Sequence, residues 1–134
     1  MSKDLIAIAQ GSYARCCEVP DFFVAFYAEL FATCPPARLK FAETDFTKQH
    51  KLVRHGIGLL INFNREPEHE PNILTRVAER HRRGDLGIDP WFYPFFVDAF
   101  ISTARSLDPQ FDEEIERAWR VATAKGVAYM ASKY

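Results

Sequence analysis

Apolar positions along this chain recur at intervals of three and four residues, the period of an α-helix, and strand-like alternation is almost absent. Residues 3 to 15 carry Leu5, Ile8, Ala9 and Tyr13 at that spacing. Pro20 and Asp21 suit the first turn of a second helix, DFFVAFYAELFA, which ends before Cys34. Pro35 and Pro36 open a short helical piece running to Phe41, and ETDFTKQ sets a Thr/Asp cap ahead of a long helix reaching about Phe63. Two prolines and clustered charge in NREPEHEPN then break the pattern. Pro71 starts a further helix, NILTRVAERHRR, with Leu74, Val77, Ala78 and His81 along one face. Asp89 and Pro90 cap and open the next, to about Ser106. DPQFDEE opens the last, whose inward stripe is Ile115, Trp119, Ala122, Val127 and Met130. The pattern predicts an all-α chain of six or seven helices, one domain over 1–134, with no repeat, linker or low-complexity tract.

Composition changes this picture little. At 134 residues the chain is long enough for a real core, since a domain of this size buries roughly two-thirds of its unfolded surface. Twelve Phe among 48% apolar residues are more bulk than a minimal core needs, which is compatible with a lined pocket and equally with a well-filled interior.

Charge excludes more. Lys and Arg total 17 against 18 Asp and Glu, a net charge of -1. Nucleic acid and anionic membrane both reward clustered positive charge, so neither is expected as a partner. The longest basic run, RHRR at 80 to 83, suits a solvated helix end, where cations complement exposed carbonyls, or a contact to a bound anion. The N-terminus has no apolar core of a leader, and no run approaches a membrane span. Cys16, Cys17 and Cys34 are an odd number, two of them adjacent, which fits free thiols in a reducing, cytoplasmic setting.

Motif chemistry is sparse. There is no C-x-x-C and no H-E-x-x-H, and His50 and His55 diverge around their helix. His69 among Glu66, Glu68 and Glu70 reads as a solvated loop rather than a metal cluster. GIG at 56 to 58 lies inside a helix without the strand and third glycine of a dinucleotide site. His81 stands out, because it ends an apolar helix face just ahead of GIDPWFY. Taken alone, such a histidine is more often a hydrogen-bonded core residue.

Its company points further. FYAELFATCPPARLKF, the Q of the long helix, AERH, GIDPWFY and the terminal AWRVATAKGVAYM occur in an order and at spacings that resemble the globin family. The likeness is to bacterial single-domain globins, flavohemoglobin heme domains and sensor-type globins, and it covers the whole chain. It implies a three-over-three fold of six to eight helices around a heme pocket, with heme b as cofactor. By this resemblance His81 is the proximal ligand of the iron. A neutral imidazole binds iron well when its other N–H is held by an acceptor, and the Val77 carbonyl, one turn earlier, is the natural candidate. Leu74, Val77 and Ile88 would form a dry proximal wall, with Phe96 and its aromatic neighbours Trp91, Phe92 and Phe95 beside it.

On the distal side the resemblance assigns Phe41 to the phenylalanine that wedges against the porphyrin. Tyr27 takes the distal tyrosine position, where its hydroxyl can donate to a bound gas. The long helix leaves its register open, because the link from Phe41 is slightly shorter than in flavohemoglobins. With Gln49 facing the ligand, Val53 and Ile57 line the pocket and Arg54 falls near the interior. With a slip of one residue, Leu52, Val53 and Gly56 face in and Lys48 takes the distal place. Gln49 is preferred, since an amide bonds the ligand without burying a charge; His50 as a sixth iron ligand is the outside alternative. Tyr93 matches a tyrosine that approaches the proximal histidine. No residue clearly replaces the glutamate that partners it in flavohemoglobins, which implies a weaker electron push and little peroxidase chemistry.

The expected function is reversible binding of O2, and of CO or NO, as in oxygen transport, by a monomer or homodimer. NO dioxygenation, with electrons from a separate reductase, is the enzymatic alternative, and a single-domain gas or redox sensor acting through a partner is another. A heme-free globin fold is the remaining possibility, opposed by the presence of His81, Phe41 and Tyr27.

Overall fold

Seven α-helices and one 3-10 turn account for the regular structure of the computed structural model, which describes residues 3–134. They are α1 (Leu5–Glu18), α2 (Phe22–Thr33), α3 (Ala37–Lys40), α4 (Phe46–Asn62), α5 (Thr75–His81), α6 (Phe92–Leu107) and α7 (Glu113–Ser132), with the 3-10 turn Phe63–Arg65 after α4. Helices α1 and α7 pack against each other, as do α2 and α6, and α4 crosses onto α7 and α1. None of the helices among the described residues is long and apolar enough to cross a membrane.

Local side-chain chemistry sets three of the seven helix starts. Asp4, Asp45 and Asp112 each accept a hydrogen bond from a first-turn amide, those of Ala7, Thr47 and Ile115, satisfying donors that the helix itself leaves unpaired. Glu113, Glu114 and Glu116 add negative charge at the start of α7, where the helix dipole favours it.

Three starts differ from the sequence expectation. Pro20 and Asp21 precede α2 instead of opening it: Phe22 N–H closes a turn on the Val19 carbonyl, and Asp21 sits in the left-handed region at φ 62. The proximal helix begins at Thr75, not Pro71, because Asn72 and Thr75 hold residues 72–75 in a turn. Thr75 Oγ1 accepts from Asn72 N–H and Asn72 Oδ1 accepts from Leu74 N–H, both at 2.9 Å. Asp89 and Pro90 likewise lie ahead of α6, with Asp89 Oδ1 accepting from Trp91 N–H. At the other end, α1 runs to Glu18, beyond the expected residue 15, and buries Ala9, Ser12 and Cys16.

The core is aromatic and continuous from Phe22, Phe23 and Phe26 of α2 through Phe100 of α6 to Trp119 of α7. Each such side chain contributes roughly 1.5–3 kcal/mol by leaving water. A satellite cluster of Leu60, Phe63 and Leu74 packs against Val127, which is therefore half-buried rather than part of the main stripe. A methyl at Gly126 would collide with Leu60 and lie 3.2 Å from Leu74 Cδ1, so glycine there is what lets α7 approach both residues.

One buried charge spans the fold. Asp108, just after α6, has a fully buried carboxylate that accepts from Arg15 Nε at 2.7 Å and Ser12 Oγ at 2.7 Å. Trp119 Nε1 donates in turn to Ser12 Oγ. Burial pushes Asp108 up, but the Arg15 and Ser12 hydrogen bonds and the Gln110 amide outweigh it and hold the carboxyl below its ordinary range.

Candidate functional site

Helix α2 is apolar nearly all round and buries Phe22, Phe23, Phe26, Tyr27 and Leu30. It places Tyr27, 3% exposed, inside a cage of rings. Phe26, Phe41, Phe46 and Phe31 lie 4.9, 5.3, 5.3 and 5.9 Å from it between centroids, and the His50 ring lies nearly parallel at 5.8 Å. Into this apolar setting one polar contact intrudes: Gln49 Nε2 donates to the Tyr27 hydroxyl oxygen at 2.9 Å. Burial pushes the Tyr27 hydroxyl up to about 12, only partly countered by the Gln49 bond, so it stays a neutral phenol. With its oxygen accepting from Gln49, its own proton is free to be donated elsewhere.

On α4, Val53 and Ile57 follow Gln49 at four-residue steps and are buried. Lys48 and Arg54 are exposed, and Leu52 is 64% exposed, 100° around the helix from Val53. The arrangement is therefore the one that turns Gln49 inward, while the slipped alternative with Lys48 and Leu52 inward is not adopted. Arg54, expected near the interior in the Gln49 register, points to solvent instead, and its carbonyl accepts from the Tyr13 hydroxyl.

Helix α5 carries the second half. Leu74 and Ala78 are buried, Val77 and His81 half-buried. His81 Nδ1 lies 2.7 Å from the Val77 carbonyl. A carbonyl only accepts, so the proton resides on Nδ1 and Nε2 keeps its lone pair. Burial lowers the His81 pKa, more than the Val77 bond raises it, which favours the neutral imidazole that binds metal. Ile88 N–H donates to the His81 carbonyl at 2.9 Å, folding the following loop back on the helix end. Gly87, at φ 64, supplies the left-handed turn this needs.

The two halves meet at one edge, where Lys40 Nζ, next to Phe41, donates to the Gly87 carbonyl, next to Ile88, at 3.1 Å. Phe96 packs on Phe26 at 5.0 Å, and Tyr93 is half-buried with its hydroxyl pushed up to about 12 by burial. Trp91, expected with the core aromatics, is 52% exposed, meeting Phe92 edge to face and Phe95 at a tilt.

Residues 24–130 match the family model described as Globin. A solved structure from Pseudomonas aeruginosa, described as structurally highly homologous to a human hemoglobin, is 34% identical to this chain, covers 98% of each chain and superposes with a TM-score of 0.91. No curated protein matches. The chain belongs to the globin family, and the all-helical fold is the one the sequence led us to expect. Membership implies a heme cofactor and gaseous ligands. The residues present suit heme: an imidazole on α5 whose Nε2 keeps its lone pair, and a partly buried Gln49–Tyr27 hydrogen bond within a cage of rings on α2 and α4.

Sequence reasoning did not anticipate Phe31, Phe46 and the parallel His50 ring as walls of the Tyr27 cage. The signal was available in part, since Phe31 follows Tyr27 by one turn on α2 and Phe46 precedes Gln49 by one turn on α4.

Proposed function

We propose that this globin holds heme b through His81 Nε2 and binds O2 reversibly, and CO or NO likewise, beside Tyr27 and Gln49. The observation that carries this reading is the partly buried Gln49–Tyr27 hydrogen bond, which leaves the Tyr27 proton available to a ligand within the ring cage of Phe26, Phe31, Phe41, Phe46 and His50. When bound, heme supplies a ferrous iron able to take up a diatomic gas, with its reactivity tuned by its axial ligand and surroundings.

The chain's own residues have separate tasks in this account. The Val77 carbonyl accepts a hydrogen bond from His81 Nδ1–H and so fixes the ring's orientation. Phe41, Val53, Ile88 and Phe96 exclude water and present apolar surface to the porphyrin, with Val77 on the proximal side. Leu52, being exposed, is assigned to the porphyrin's outer edge, and Tyr93 to the proximal side near His81. Gln49 orients Tyr27, and Tyr27 donates to the bound gas.

Titration of the purified protein with hemin, followed by dithionite and CO, tests this. Saturation at one hemin per chain, with a histidine-ligated CO spectrum, is expected. A protein that takes up no hemin contradicts it.

A further inference from the structure

Charge is unevenly spread over this chain. Residues 38–55, spanning most of α3 and the first turns of α4, carry Arg38, Lys40, Lys48, Lys51 and Arg54 against Glu43 and Asp45. That is +3 on a chain of net charge -1, which leaves -4 for the rest. Eight ion pairs join cations to carboxylates among the described residues, and none involves this segment. Asp45 is occupied in capping α4, where it accepts from Thr47 N–H.

The pattern works against the helix that bears it. Helix α4 contains no Asp or Glu. Its exposed Lys48, Lys51 and Arg54 follow one another at three-residue steps, a ladder of like charges that repel on one helix surface. Lys48 also lies in the first turn, where the helix dipole disfavours a cation. A carboxylate-bearing surface laid on this face would relieve both effects. The same segment holds the two most exposed large apolar side chains among the described residues, Leu39 and Leu52, at 79% and 64%. Phe31 draws its two parts together: the Arg38 guanidinium lies over that ring at 5.9 Å, and Phe41 and Phe46 lie 5.6 and 6.3 Å from it.

Apolar anchors set among charges suit a protein partner. Nucleic acid would use the cations alone, and five are few for binding at physiological salt. A second copy complements the face poorly, because Glu114 and Glu116 at the acidic start of α7 are already paired with Lys3 and Arg105.

We propose that this face docks an acidic flavoprotein that hands single electrons to the globin. Leu52 is assigned above to the porphyrin's outer edge, so a partner seated here lies beside the cofactor; the inference rests on that heme-binding reading. One electron leaves the donor's reduced flavin and converts ferric to ferrous heme, with no bond made or broken.

The probe is flavodoxin, an acidic flavin mononucleotide protein. Photoreduced flavodoxin is mixed anaerobically with the heme-loaded, ferric full chain, and heme reduction is followed by stopped-flow. The wild-type rate constant should fall steeply as ionic strength rises from about 0.01 M to about 0.15 M. Lys51→Glu should lower it roughly three- to tenfold at the lower salt. Arg117→Glu, the same charge change on exposed Arg117 of α7, should match wild type. Binding has its own readout: oxidised flavodoxin should shift the amide NMR signals of residues 38–55 in the CO-bound globin more than those of α7. Equal rates in Lys51→Glu and Arg117→Glu overturn the docking face, as do amide shifts centred elsewhere. Tighter binding of the same residues to duplex DNA or phosphatidylserine vesicles than to flavodoxin overturns the assigned partner, and so does a dimer that Lys51→Glu dissociates. A chain that takes up no hemin refutes the heme-binding reading, a result distinct from a heme-loaded protein whose reduction ignores Lys51.

Discussion

Gln49 Nε2 donates to the Tyr27 hydroxyl at 2.9 Å, joining α4 to α2 within a cage of rings. The direction of that bond decides what the pair can do. Among the described residues the Tyr27 proton has no acceptor, and burial, which carries its pKa to about 12, keeps the phenol neutral. In the proposed account Gln49 positions Tyr27, and Tyr27 donates to the bound gas.

Tyr27→Phe should therefore speed O2 release by roughly ten- to a hundredfold, since a hydrogen bond to a charge-bearing acceptor contributes about 1.5–3 kcal/mol. CO, which carries less charge when bound, should be released at nearly the wild-type rate. Gln49→Leu should have a smaller effect, and the double variant should resemble Tyr27→Phe alone, because the two act as a unit. Stopped-flow displacement of O2 checks this; equal and additive effects of the two single variants contradict the assigned roles.

Acid should loosen the proximal side. Burial holds the folded-state pKa of His81 below the ordinary 6.5, so the unfolded chain binds the proton more readily. Stability from this group is then fully present above pH 6.5 and is lost as pH falls from there toward the lowered folded value. A proton on Nε2 also removes the lone pair offered to iron. Hemin transfer to an acceptor protein should accelerate as pH is lowered from 7 to 5, and a rate flat across that interval would contradict the assignment.

The Asp108–Arg15–Ser12 network should behave as a structural anchor rather than as part of the gas site. Asp108→Ala leaves Arg15 and Ser12 without their acceptor and should cost about 3 kcal/mol in urea unfolding. Because the Asp108 carboxyl is held below 3.8 in the fold, its contribution persists above that value and fades as pH falls through the lowered pKa. A variant of wild-type stability would show the network to be dispensable.

Gly126→Ala should destabilise by roughly 1–3 kcal/mol, the usual penalty for overpacking, offset in part by the better helix propensity of alanine. The methyl meets Leu60 and Leu74, and Leu74 leads into α5, so faster hemin loss should accompany the lowered Tm. Unchanged hemin loss would show that α5 does not feel this contact.

Much of this was legible because it is local. Aspartates at 45 and 112 mark helix starts through bonds to amides two or three residues on, and such spacing is visible in a sequence. The inward stripe of α7 was equally plain, except at Val127, which turns to a second cluster that only the tertiary fold creates. The start of α5 was misjudged, since Pro71 is a generic opening signal and the Asn72–Thr75 exchange that overrides it depends on side-chain geometry. The left-handed Asp21 was invisible for the same reason. Helical periodicity left two registers for α4, one residue apart. Packing against Tyr27 is what turns Gln49 inward and leaves Leu52 exposed. The Arg15–Asp108 pair joins residues 93 positions apart, beyond the reach of any local pattern.

The most direct test of the central claim is the reduced, CO-bound visible spectrum of His81→Gly with and without added imidazole. Loss of the histidine-ligated spectrum in the variant, restored when free imidazole fills the vacated position, is the predicted result. A variant that keeps the wild-type spectrum without imidazole would show that another residue holds the iron.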